Sequence, residues 1–189
     1  GYLFFPSLFT PEETQRLNDA VPELYSRREA YNVREKGKDA VRTNFGAHMY
    51  SAPFARLARH PRMIEPVESL FGEKLYMHQF KINGKMAFEG DVWQWHQDYG
   101  TWKNDDLMPT ERAMNVAIFL DDVNEFNGPL MFIRGSHKRG VIDAKHDLTT
   151  TSYPLWTVDH ELIRQLVARA GGKNGGMVSP KGPAGSMIL

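Results

Sequence analysis

The 189-residue sequence contains no cysteine, which excludes disulfides, thiolate-held zinc or iron–sulfur centres and a thiol nucleophile. That absence fits a reducing, cytoplasmic setting. Net charge is missing too, because 23 basic residues balance 23 acidic ones. Without a basic excess or a block of like charges, nucleic acid is not an expected partner. No apolar run reaches the roughly 20 residues that span a bilayer, so a membrane is not expected either. Internal repeats and low-complexity tracts are also absent.

What is present can build a core. With 41% apolar and 12% aromatic residues, one domain over residues 1–189 is expected. Both ends look cut. Gly1-Tyr2-Leu3-Phe4-Phe5 has no initiator methionine, and Gly185 to Leu189 closes on an apolar run without a turn signal. The expectation is a segment of a longer protein.

The organisation reads as helical first and β later. Thr10-Pro11-Glu12-Glu13 has the form of a capping box with proline at the first helical position, and Leu17, Val21 and Leu24 would form the buried face. Pro22 should kink or end that helix near Val21. Further helices are expected over 52–58, from Pro61 to about Gly72, and over 158–170. Strand-like runs are expected over 75–82, 92–99, 113–120, 130–133 and 186–189. Asn83-Gly84 and Asn127-Gly128 supply turns, and Gly171-Gly172 with Gly175-Gly176 a flexible loop. Strands after helices predict a mainly β fold, a sandwich or barrel with a helical buttress.

One triplet carries chemistry. In His96-Gln97-Asp98 the imidazole and the carboxylate are two residues apart, and in a strand both would point to one face. Together they supply two of the three ligands of a 2-His-1-carboxylate site for non-haem Fe(II). Trp93, Trp95 and Tyr99 crowd the pair and could wall a partly dry pocket. The bland alternative is a half-buried strand with a surface His–Asp pair.

The triplet has company in a fixed order. It is followed by Tyr99-Gly100-Thr101-Trp102, Asp106-Leu107-Met108-Pro109, Phe119-Leu120-Asp121-Asp122, Asn127-Gly128-Pro129-Leu130 and Ile133-Arg134-Gly135-Ser136-His137, and preceded by the run from Gln79 to Lys85. This set resembles the phytanoyl-CoA dioxygenase family of Fe(II)/2-oxoglutarate oxygenases. Within that family it looks like the ectoine hydroxylases and related amino-acid hydroxylases. The resemblance runs along the whole chain, although its helical first third is generic.

The resemblance implies a double-stranded β-helix, the jelly-roll or cupin-like architecture, here stopping before its last strands. It implies Fe(II), O2 and 2-oxoglutarate as cofactor and co-substrates, with His96 and Asp98 as metal ligands. A distal histidine ligand and a 2-oxoglutarate-clamping arginine would follow Leu189. His137 belongs to a loop motif in the family and is no ligand there. Lys85 would bind 2-oxoglutarate, helped by Asn83 and Asn115. Gln79 and Trp102 would contact the substrate. From the residues themselves, Arg42 could receive a substrate carboxylate as a bidentate donor, and Lys81, two residues from Gln79, would face the same side and add a second cation. The corresponding bland readings are a solvated lysine, a turn asparagine, a strand filler and a surface arginine. Because related halogenases have a small residue in place of the carboxylate, Asp98 favours hydroxylation.

The expected activity is therefore hydroxylation of a small amino acid or amino-acid derivative. Desaturation or ring closure on the same scaffold is the alternative within enzymes. A non-catalytic β-sandwich that binds a ligand or a protein partner is the alternative outside them.

Overall fold

The computed structural model describes residues 1–150, 152–171 and 176–189. Gly172 and Gly175 of the expected glycine loop lie outside the described residues. The strands in chain order are β1 (Phe4–Phe5), β2 (Asn32–Arg34), β3 (Val41–Phe45), β4 (Lys81–Asn83), β5 (Ala117–Ile118), β6 (Phe132–Ile133), β7 (Lys145–Asp147), β8 (Leu155–Thr157), β9 (Met177–Val178) and β10 (Met187–Ile188). The helices are α1 (Pro11–Asn18), α2 (Val21–Ser26), α3 (Ala52–Ala58), α4 (Pro61–Phe71), α5 (Asp98–Asp105) and α6 (His160–Ala170). No described helix is long and apolar enough to cross a membrane.

Contacts divide the chain into two compact units. One comprises Tyr2–Gly90, Met114–Gly128 and Lys181–Leu189; the other comprises Asp91–Ala113 and Pro129–Pro180, together with Gly1.

The first unit holds the expected helices. The Thr10 hydroxyl accepts the Glu13 N–H at 3.2 Å, and the Glu13 carboxylate accepts the Thr10 N–H at 2.8 Å, so the capping box forms as the sequence dictates. Pro22 does not merely end α1. It sits in the first turn of α2, where its missing N–H costs nothing. Helix α4 ends on Gly72 at φ 69°, and it runs through Pro66, forgoing the bond that an N–H there would have made. Phe9, Leu17, Leu24, Ala47, Phe54, Leu57 and Ile82 form the larger core cluster. Burying Phe54 and Leu24, 1% and 2% exposed, stabilises the fold by about 2 kcal/mol each.

Two antiparallel sheets complete that unit, in the orders β1-β10-β5 and β2-β3-β4. The β2–β3 pairing lies where only generic helical sequence is expected. Its residues explain why: Asn32, Glu35, Arg42, Thr43 and Asn44 are buried, so no apolar alternation marks the strands. Hydrogen bonds replace it. Asn32 Nδ2 donates to the Leu24 carbonyl at 2.6 Å, Asn44 Nδ2 to Asn32 Oδ1 at 2.6 Å, and the Tyr50 hydroxyl to Asn44 Oδ1 at 2.9 Å. At Gly185, with φ +84°, any β-carbon would stand 2.2 Å from the Phe9 carbonyl oxygen, so only glycine fits.

The second unit pairs β6 with β9 and β7 with β8, both antiparallel. Helix α6 lies against β6 and α5 against β8. Trp102, Ile133, Leu155, Val158 and Leu166 are its buried apolar residues. The expected strands form only in part: of 75–82 only Lys81 and Ile82 are paired, in a β4 that runs on into Asn83 of the expected turn, while 113–120 contracts to β5, 130–133 to β6 and 186–189 to β10. The run over 92–99 is corrected outright. It contains a single bridge, His96 to Thr157, and then turns into α5.

Candidate metal and co-substrate site

Asp98 is the first residue of α5, not a strand neighbour of His96. The backbone is extended at Gln97 and helical from Asp98 onward, and a carboxylate in that first turn is favoured by the exposed N–H groups of the helix start. His96 is held from the other side. It bridges Thr157, and the Val158 N–H donates to the Trp95 carbonyl at 2.7 Å. Between them, Gln97 ties the turn to a loop: its Nε2 donates to the Gly140 carbonyl at 3.0 Å and its Oε1 accepts the Ile142 N–H at 2.8 Å.

This local geometry brings His96 Nε2 to 3.2 Å from Asp98 Oδ1. The other ring nitrogen, Nδ1, lies 2.6 Å from the Gln94 carbonyl oxygen. A carbonyl can only accept, so the proton belongs on Nδ1 and Nε2 faces the carboxylate with its lone pair. Two electron-rich atoms at that distance need a proton or a cation between them. Two donors about 2.1 Å from one ion, at a right angle, stand about 3 Å apart, so the spacing fits adjacent positions on an octahedral ion. The carbonyl behind Nδ1 is the customary outer partner of a metal-bound imidazole.

The side chains of His96 and Asp98 are 22% and 33% exposed, so an ion could reach them. Trp93, Trp95 and Tyr99 are half-buried around the segment, and the Trp93 ring meets Tyr153 edge-on at 6.1 Å. Trp102 is 9% exposed. Beside it, the Thr101 hydroxyl is buried with no hydrogen-bond partner among the described residues, an acceptor and donor that the sequence reading did not single out. Neither Thr101 nor Gln97 carries a signal in a single sequence. Among the described residues no group of three His, Cys, Asp or Glu side chains is arranged to hold a metal ion. His137 sits on the 3-10 turn Ser136–Arg139.

The other candidates lie in the first unit. Lys85 Nζ donates to the Gly128 carbonyl. The residue is exposed as a whole, yet its ammonium is crowded enough that burial, and then the Arg42 charge, pull its pKa below the ordinary lysine value. A lysine ammonium with two N–H donors left after the Gly128 carbonyl can receive an anion such as a dicarboxylate. Asn83 lies on β4, and its Oδ1 accepts the Thr43 hydroxyl at 3.0 Å. Asn115 is exposed, two residues before β5.

Lys81 lies on β4 with its ammonium 5.4 Å from the centre of the Phe45 ring. Gln79 is exposed and precedes β4, so strand alternation does not pair it with Lys81. Arg42 departs furthest from expectation. It is 1% exposed and donates to both carboxylate oxygens of Glu35, at 3.2 and 3.1 Å. A surface arginine awaiting a substrate is thereby replaced by a buried ion pair, and we assign Arg42 no direct substrate contact.

The sequence profile of the phytanoyl-CoA dioxygenase (PhyH) family matches residues 1–173. L-proline trans-4-hydroxylase of Streptomyces griseoviridis is 38% identical over 143 residues, 76% of this chain and 53% of that protein. Ectoine dioxygenase of Bordetella bronchiseptica is 34% identical over 200 residues, 100% of this chain and 63% of that protein. The crystal structure of EctD from S. alaskensis with 2-oxoglutarate and 5-hydroxyectoine superposes with a TM-score of 0.83 at 30% identity, covering 100% of this chain and 62% of that one. The chain thus spans between half and two thirds of the length of these relatives.

Proposed function

This chain belongs to the phytanoyl-CoA dioxygenase family, and from that premise we propose that the protein is an Fe(II)- and 2-oxoglutarate-dependent hydroxylase of a small amino acid or amino-acid derivative. The observation that carries the reading is the approach of His96 Nε2 to Asp98 Oδ1 with Nδ1 anchored on Gln94. Iron bound there would supply the redox chemistry that couples O2-dependent decarboxylation of 2-oxoglutarate to hydroxylation of a C–H bond.

The residues divide that work. His96 and Asp98 hold the ion, and the Gln94 carbonyl keeps the imidazole in the tautomer that can ligate. With iron bound, the Asp98 carboxylate would be a ligand where a halogenase leaves room for a halide, which supports hydroxylation. Lys85 receives a carboxylate of 2-oxoglutarate, with Asn83 and Asn115 as further donors. Gln79 and Trp102 orient the substrate. An indole face attracts a cationic or polarised nitrogen and an amide fixes direction, a combination suited to a small zwitterion such as proline or ectoine, the compounds for which the relatives are named. Lys81 adds positive charge for a substrate carboxylate.

The architecture we propose is the double-stranded β-helix, supported by the likeness to EctD. The cysteine-free composition supports action in the cytoplasm.

The test is to incubate the intact protein with Fe(II), 2-oxoglutarate and O2 in the presence of proline, ectoine and related small zwitterions. Succinate released together with a product one oxygen heavier supports the proposal. Release of neither with any candidate contradicts it, and a dehydrogenated or cyclised product would move the protein to a desaturase or cyclase.

A further inference from the structure

Lys85 meets an unusual partner at Gly128, which has φ +70°. A β-carbon at position 128 would stand 2.9 Å from Lys85 Cδ and 3.2 Å from its Nζ, closer than a lysine stem can tolerate without moving. The ammonium itself rests on the Gly128 carbonyl. Both sides of this contact are fastened to the fold. Asn127 donates through Nδ2 to the Asp122 carbonyl at 2.6 Å and accepts the Asn124 N–H at 2.9 Å, while Asp122 Oδ1 accepts the Ala184 N–H at 2.9 Å. On the lysine's side, the Gly84 N–H donates to the Arg42 carbonyl at 2.9 Å. A β-carbon on Gly84 would stand 2.5 Å from the Val41 carbonyl oxygen, so that segment lies flush against β3.

We propose that Gly128 is a positioning residue for Lys85: its missing side chain admits the lysine stem and its carbonyl anchors one N–H of the ammonium, aiming the rest at the co-substrate's carboxylate. An ammonium has three N–H donors, so the Gly128 carbonyl leaves two for an anion. Anchoring also removes rotamer freedom that a four-carbon side chain would otherwise lose on binding. The inference rests on the reading that Lys85 binds 2-oxoglutarate.

The experiment is a double-mutant cycle in the intact protein, using Gly128→Asn, Lys85→Ala and the double variant. Asparagine tolerates positive φ, so this substitution adds the β-carbon without forbidding the turn. Binding of 2-oxoglutarate is measured by calorimetry without oxygen, with Mn(II) in place of Fe(II). The reaction rate of Lys85 with an amine-acetylating reagent is read by peptide mass spectrometry in the metal-free protein, and thermal unfolding of each variant reports the fold.

Gly128→Asn should weaken 2-oxoglutarate binding roughly ten-fold, the low end for losing a charge-assisted hydrogen bond. It should change nothing further once Lys85 is alanine, and it should alter the acetylation rate of Lys85. Equal weakening in both backgrounds, or an unaltered acetylation rate, overturns the role of Gly128. If Lys85→Ala leaves 2-oxoglutarate binding unchanged, the co-substrate reading of Lys85 fails instead, and the proposal falls with it.

Discussion

Nδ1 of His96 stands 2.6 Å from the carbonyl oxygen of Gln94, while Nε2 of the same ring faces Asp98 Oδ1 at 3.2 Å. One nitrogen is thereby committed to the backbone and the other to the carboxylate. Without a metal the pair can be bridged by a proton as an ion pair, and with one it becomes a two-donor clamp. The residue that keeps the two donors in register is Gln97, through Gly140 and Ile142.

Gln97→Ala should therefore weaken metal binding without removing a ligand. Gln97 hydrogen-bonds to neither ligand directly, so a loss of about ten-fold is expected, the low end of the range for outer partners of metal ligands. A competition titration with a chromophoric chelator measures it. An unchanged affinity would mean that the loop does not set the geometry of His96 and Asp98.

The buried pair Glu35–Arg42 makes a second claim, about stability. Both side chains are almost wholly enclosed, at 2% and 1% exposure. Removing one partner strands the other charge, so Arg42→Ala should cost about 3–5 kcal/mol. Replacing both together with apolar residues, as in Glu35→Leu with Arg42→Met, should cost much less. Urea denaturation of the three variants decides, and a double variant as unstable as Arg42→Ala would contradict the account.

The capping box gives a pH prediction. The Glu13 carboxyl is held below the ordinary glutamate value of 4.5, first by the Thr10 N–H and then by Arg62. A depressed carboxyl stabilises the fold at pH above the ordinary value, and the contribution disappears as pH falls through the lower folded value. Glu13→Gln should accordingly lose stability at neutral pH and converge with the parent protein in acid. Thr10→Ala should cost about 1 kcal/mol at neutral pH. Denaturation series at neutral and acidic pH test both, and a Glu13→Gln deficit that persists in acid would refute the assignment.

Particular residues show what was legible beforehand. Thr10-Pro11-Glu12-Glu13 announces α1, and Gly72 marks the end of α4, because capping is local chemistry. The β2–β3 pairing is illegible because its buried positions are polar and satisfied across the chain, through Asn32, Asn44 and Tyr50. Trp93, Trp95 and Tyr99 imitate strand alternation, yet the segment carries one bridge before turning helical at Asp98. The proximity of His96 and Asp98 is thus expected from one geometry and reached by another. Arg42 shows the limit most sharply, since nothing in Val41-Arg42-Thr43 announces that Glu35 waits seven residues upstream to bury with it.

The account turns on His96 and Asp98 holding iron. The most direct measurement is anaerobic Fe(II) binding to the intact protein and to His96→Ala, with circular dichroism reporting the fold of each. The account predicts one equivalent bound by the parent and affinity reduced at least about 100-fold in the folded variant, since an inner ligand should matter no less than the outer partners worth 10- to 100-fold. Equal Fe(II) affinity in the two folded proteins would contradict it.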